Sequence, residues 1–170
     1  QGFYMGEHGW FDKRWIYEES FRTPMVMRYP GLVKGGTVSN RFVMNLDIAP
    51  TLLDAAGLPI PKDMQGVSML PALKNHADKG RQVLYYHYYE NGEHSVSPHF
   101  GIRTKRYKLI RFYKRVVGWE LYDLQKDPHE MDNKYGKKGY ETITADLYKE
   151  LNRQINKFED KDALQILKDR

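Results

Sequence analysis

Between residues 82 and 124 the chain carries four short runs rich in Val, Leu, Ile and aromatic side chains, at 82–90, 100–103, 107–113 and 119–124. Runs of this length, broken by Gly, Pro, Asn and Ser, read as strands, and the last two alternate as half-buried strands do. Thr104-Lys105-Arg106 is short enough to join the second run to the third as a tight hairpin, although none of the three is an ideal turn residue. Further on, Leu147, Leu151, Ile155 and Phe158 recur at helical spacing. A helix over about 144–158 therefore has one apolar face with which to cover a sheet. An antiparallel sheet with a helix packed on it is the expectation for this half of the chain.

Upstream the pattern changes. Asn45 to Gly57 is the clearest helix, with Asp47 as an N-terminal cap, Pro50 in the first turn and Gly57 as the stop. Ile48, Leu52, Leu53 and Ala56 form its apolar face. Met25 to Tyr29, an apolar run between Pro24 and Pro30-Gly31, has the profile of a buried strand, and Thr37 to Val43 that of an edge strand. Trp15 to Phe21 reads as a short helix or turn, ended by the proline at 24. Lys74 to Gly80, polar and closing on glycine, is the candidate boundary, giving units at 1–78 and 79–170.

Composition narrows the function classes. A hydrophobic fraction of 41% excludes general disorder. The net charge of +5 favours anionic partners weakly, but no Lys/Arg block interleaves with aromatics, so nucleic acid is not expected. No apolar run is long enough to cross a membrane. With no cysteine there is neither a disulfide framework nor a thiol nucleophile. The 13 tyrosines suit sheet faces and sugar-binding surfaces alike.

The first fourteen residues, Gln1-Gly2-Phe3-Tyr4-Met5-Gly6-Glu7-His8-Gly9-Trp10-Phe11-Asp12-Lys13-Arg14, place three glycines among an amide, an imidazole and an ammonium. They read as a polar loop turning closely around something, an active-site wall rather than a helix or strand. Together with Tyr17-Glu18-Glu19-Ser20-Phe21-Arg22-Thr23-Pro24, they closely resemble the stretch that carries the last metal ligands of type I sulfatases, the formylglycine-dependent branch of the alkaline phosphatase superfamily. Asp127-Pro128-His129-Glu130-Met131-Asp132-Asn133 resembles the Asp-Pro-x-Glu-x-x-Asn signature near the end of those enzymes.

The resemblance implies an α/β plus α+β fold: the C-terminal end of an α/β catalytic domain, then a small antiparallel sheet with a packed C-terminal helix. It implies Gln1 as a calcium ligand and Lys13 as the sulfate contact. The family's nucleophile, a Cys or Ser oxidised to formylglycine, lies in a Cys-x-Pro-x-Arg type motif. None of Ser20, Ser39, Ser68, Ser95 and Ser97 is followed by Pro and Arg at those offsets. The expectation is therefore a C-terminal piece of a sulfatase, inactive alone and unable to retain calcium on Gln1 by itself. The implied substrate is a sulfated carbohydrate, an amino sugar of a glycosaminoglycan or mucin-type glycan, in a periplasmic, secreted or lysosomal host.

Three histidines complete the candidates. His8, between Glu7 and Gly9, either donates to substrate or orients the loop. His94 and His99, in a Gly-, Ser- and Pro-containing loop between strands, are placed to read the sugar. With His87 they match no compact zinc spacing. Two rivals stand beside this reading: a phosphodiesterase or phosphonate hydrolase of the same superfamily, distinguished by its nucleophile, and a non-catalytic glycan-binding module, distinguished by binding without turnover. A strand edge and apolar faces left uncovered in such a piece predict self-association or a rearranged opening loop.

Overall fold

The computed structural model describes residues 2–74 and 80–169. They divide into two compact units, one formed by 1–24 with 83–170 and the other by 25–82.

The first unit is built on four strands, β3 (Val83–Tyr88), β4 (His99–Thr104), β5 (Tyr107–Phe112) and β6 (Gly118–Asp123). They follow a small hairpin, β1 (Tyr4–Met5) and β2 (Phe11–Asp12), and a short helix α1 (Glu18–Phe21). The four strands pair antiparallel in chain order, each joined to the next, so the four runs read from the sequence form one meander. Strand alternation then sorts the side chains. Phe100, Ile102, Leu109 and Leu121 point to one face, where Leu147, Leu151 and Ile155 of α4 (Glu141–Lys157) and Ala163 and Leu167 of α5 (Lys161–Lys168) cover them. Burying each such aliphatic side chain contributes roughly 1.5–3 kcal/mol.

Asp160 fixes the corner between the two helices. Its Oδ1 accepts the Ala163 N–H at 3.0 Å. Its Oδ2 accepts the Tyr85 hydroxyl at 2.7 Å and lies 2.6 Å from His87 Nδ1, tying the corner to β3. The far nitrogen of His87 meets the Tyr113 hydroxyl at 2.7 Å.

The other sheet face is apolar too. Ile110, Phe112 and Tyr122 bury Tyr4, Ile16 and Tyr17, with Trp10, Trp15 and Phe21 around them. This corrects the division at 78/79: residues 1–24 group with the later sheet. The helices cover only one face of a sheet that is apolar on both, and the aromatic opening segment covers the second. Most of the boundary stretch expected at 74–80 lies outside the described residues.

The second unit holds α2 (Ile48–Ala55) and α3 (Leu70–Lys74). The strand expected at Met25–Tyr29 is not formed; the segment is irregular and Val26 is 95% exposed. A strand exists only through a ladder with a neighbour, and among the described residues nothing pairs with it. The edge strand expected at 37–43 is a single bridge between Phe42 and Arg81. Helix α2 is present, but of its expected apolar face Ile48, Leu52 and Ala56 are exposed, Leu52 to 65%, and only Leu53 is half-buried, while Pro50 and Thr51 face in.

Asp47 explains the reversal. Its buried carboxylate accepts the Met44 N–H ahead of the 3-10 turn Asn45–Asp47 that leads into α2, and the Val67 N–H, both at 2.9 Å, and pairs with Arg81 at 2.7 Å. One turn on, the Thr51 hydroxyl donates to Asp47 O and accepts the Met69 N–H at 2.9 Å. A satisfied polar hub turns this side of the helix inward.

Candidate active site

The opening segment is a hairpin, which corrects the reading of a loop without strands. Tyr4 pairs with Asp12 and Met5 with Phe11, around a 3-10 turn at Glu7–Gly9. Gly6 enters the turn at φ 128°, a conformation closed to most side chains, and the Glu7 carboxylate accepts the Met5 N–H at 2.7 Å. At Gly2 an added Cβ would lie 1.9 Å from Glu19 O, so only glycine lets the chain lie this close to α1.

Lys13 leaves the hairpin between two strained residues. Asp12 and Arg14 have φ of 92° and 95°, a region that costs non-glycine residues about 1–3 kcal/mol each. Neighbouring groups hold them there. The Arg14 guanidinium pairs with the Asp12 carboxylate, the Arg14 backbone N–H donates to Ser20 Oγ at 3.0 Å, and the Arg14 backbone carbonyl accepts the Tyr86 hydroxyl at 2.8 Å. Because Arg14 takes Asp12, the half-buried Lys13 has no ion-pair partner among the described residues. Among the described residues this leaves an ammonium with no paired carboxylate on a tethered turn, a group chemically able to attract an anion.

The His8 ring packs against Tyr17 at 4.7 Å and Trp10 at 5.6 Å, which are themselves 5.5 Å apart, and Nε2 is 3.4 Å from Glu19 Oε2. Only 10% of the side chain is exposed. Of the two roles read from the sequence, these contacts favour orienting the loop.

His99 departs from its expected role. It is fully buried on β4, where Nε2 accepts the Ile16 N–H at 3.2 Å and Nδ1 donates to Ser97 O at 2.8 Å. Trp15 stacks on the ring at 5.4 Å. Burial pushes its pKa down to about 4, so the ring is neutral in the tautomer these bonds require. His99 does not reach a sugar; it holds the opening segment to the sheet.

Lys108, on the same sheet face of β5 but four residues from Phe112, the partner of His99, is also fully buried. Its Nζ donates to Ile16 O at 2.8 Å and lies 2.9 Å from Glu18 Oε1 and 2.6 Å from Glu130 Oε1. The second oxygen of Glu130 accepts the Glu18 N–H at 2.7 Å, at the start of α1. Burial raises the Glu130 pKa against the pull of Lys108. For Glu18 burial acts the same way, but Lys108 and Arg103 outweigh it and hold the carboxyl below its usual range. The Asp-Pro-x-Glu-x-x-Asn stretch thereby acquires a physical meaning: Glu130 neutralises the lysine that grips the opening segment. Asn133 braces β6, accepting the Leu121 N–H at 2.9 Å and donating to Trp119 O at 3.1 Å.

Lys108 and Glu130 were not among the candidates from sequence, although the signature motif contains one and strand alternation places the other on a buried face. His94 sits between β3 and β4 with its Nε2 3.7 Å from Glu90 Oε2, and Glu93 is close by. Two carboxylates beside it disfavour an anionic ligand there. Gln1, the implied calcium ligand, lies outside the described residues.

The family model described as N-sulphoglucosamine sulphohydrolase, C-terminal, matches residues 6–157. The chain belongs to the sulfatases, as a C-terminal region. It is 47% identical over 166 residues to N-acetylglucosamine-6-O-sulfatase of Bacteroides thetaiotaomicron, covering 95% of this chain and 30% of that protein. It is 34% identical to human arylsulfatase K, over 88% of this chain and 28% of that one. A solved protein in complex with its substrate D-glucosamine-2-N,6-O-disulfate superposes with a TM-score of 0.90 at 48% identity, over 95% of this chain and 34% of its own. The chain thus spans about a third of the length of the relatives it matches. Within that third, this sulfatase region presents Lys13 on a braced turn and commits His99, Lys108 and Glu130 to bracing it.

Proposed function

We propose that this chain is the C-terminal part of an enzyme hydrolysing sulfate esters of amino sugars, and that Lys13 meets the sulfate. The observation that carries the proposal is the unpaired ammonium between two strained, tethered residues. A sulfate monoester holds negative charge on its oxygens, and charge builds on the departing sugar oxygen as the S–O bond breaks. A compact ammonium fixed beside it offsets that charge without having to reorganise. The sugar class is supported by the substrate carried by the structural relative and by the name of the 47%-identical one.

Calcium, which the family resemblance implies, needs several oxygen ligands. In the opening segment Asp12 is paired with Arg14, Glu7 caps Met5, and Glu18 is shared by Lys108 and Arg103. The described residues of this segment do not make a calcium site by themselves. The nucleophile and acidic ligands of the proposed enzyme belong to sequence ahead of this chain.

The test is hydrolysis by the protein comprising this chain and its preceding sequence, assayed on N-acetylglucosamine-6-sulfate, a phosphodiester and a phosphonate monoester. Preferred release of sulfate is expected. Preference for either phosphorus ester would replace the reading with the phosphohydrolase alternative, and sugar binding without turnover would replace it with a binding module.

A further inference from the structure

We infer that His99 and Lys108 are positioning residues for Lys13, acting by gripping both polar groups of a single buried residue, Ile16. The inference rests on the reading that Lys13 meets the sulfate. Ile16 stands three residues beyond Lys13 and is fully buried. Its N–H goes to His99 Nε2 at 3.2 Å and its carbonyl accepts from Lys108 Nζ at 2.8 Å. Buried backbone groups usually pair with other backbone; in this protein side chains from two adjacent strands serve both.

The sheet register makes the grip possible. His99 pairs with Phe112 and Arg103 with Lys108, so both gripping side chains leave the same face. Neither is free to move. The His99 ring lies against Trp15 and Phe112, its second nitrogen donates to Ser97 O, and the Lys108 ammonium is enclosed by Glu18 and Glu130.

Strained backbone persists only where its surroundings over-determine it. The turn at Asp12–Arg14 is tethered by Arg14 to Ser20 and Tyr86, and its C-terminal continuation is clamped at Ile16. Loss of either grip lets the continuation shift and the turn relax, carrying the Lys13 ammonium off its position. Displacement of a reacting-site group by about an ångström costs on the order of a hundredfold in rate.

The experiment uses the protein comprising this chain and its preceding sequence, with His99→Phe, His99→Gln and Lys108→Met, each in Lys13 and Lys13→Ala backgrounds. Asp160→Asn, whose contacts lie on the helix-covered face, is the control for general destabilisation. Expected are losses of about tenfold to a hundredfold in kcat/KM for His99→Phe and Lys108→Met when Lys13 is present, and less than about twofold when it is alanine. His99→Gln, which keeps an acceptor, restores most of the loss. Amide exchange across residues 13–21 should quicken in His99→Phe and Lys108→Met but not in His99→Gln or Asp160→Asn. Equal rate losses in both backgrounds, or unchanged exchange, overturn the inference. Should the parent protein turn over no sulfate ester, the functional reading fails, and the exchange measurement still decides whether Ile16 is gripped.

Discussion

His99 accepts the Ile16 N–H only while neutral, and burial keeps it so down to a pKa of about 4. In the unfolded chain a histidine titrates near 6.5. Between those values the unfolded state binds a proton that the folded state refuses, so stability is fully present above 6.5 and falls as pH drops toward 4. The loss is on the order of 3 kcal/mol. Urea denaturation of the chain between pH 4 and 7 should show this slope, and His99→Gln should flatten it; an unaltered slope would contradict the account. The Lys108 cluster gives a second prediction at this scale. Lys108→Met leaves Glu130 fully buried without its cation, while half-buried Glu18 keeps Arg103, at about 3–5 kcal/mol, and adding Glu130→Gln should recover part of that in the same denaturation assay. Neither role was legible in the sequence. The opening segment lies more than eighty residues before both side chains, and strand alternation shows only that a residue points to a face, not what waits there.

Elements whose logic is local were read well from the sequence. The repeat of Leu147, Leu151 and Ile155 is contained within α4, and all three residues are buried where the spacing puts them. Met25–Tyr29 failed because a strand depends on a partner, and Ile48 and Leu52 failed because hydrogen bonds to distant Val67 and Arg81 decide which side of α2 turns inward. The corner between α4 and α5 is a further non-local device, since Asp160 gathers groups from β3 some seventy residues earlier. Asp160→Asn should weaken those charge-assisted bonds, lowering stability by roughly 1–3 kcal/mol. Thermal unfolding measures the loss, while in a Trp119→Phe background, which removes the tryptophan of the helix-covered cluster, fluorescence of Trp10 and Trp15 on the opposite sheet face stays unchanged by Asp160→Asn. A change in that fluorescence would mean the two faces are not independent.

At the scale of the molecule, both units leave large apolar side chains uncovered. Met5 and Phe11 are exposed in the first, and Val26, Ile48 and Leu52 in the second. Proteins that remain monomeric rarely expose extensive apolar surface. The isolated chain is predicted to self-associate, seen as a sedimentation mass that rises with concentration and falls when the preceding sequence is attached; a single monomeric mass throughout would refute this. The candidate site shows the same division between what sequence could and could not reveal. Lys13 stood out through its resemblance to a known motif, whereas the frame around it is assembled from the opening segment and from strands and a loop some seventy to well over a hundred residues further on. The most direct measurement is hydrolysis of N-acetylglucosamine-6-sulfate by the protein carrying this chain and its preceding sequence, with Lys13 intact or as Lys13→Ala. A fall of about 10²–10³ in kcat/KM with unaltered thermal unfolding is predicted; a change smaller than about twofold would contradict a sulfate-binding role for the braced lysine.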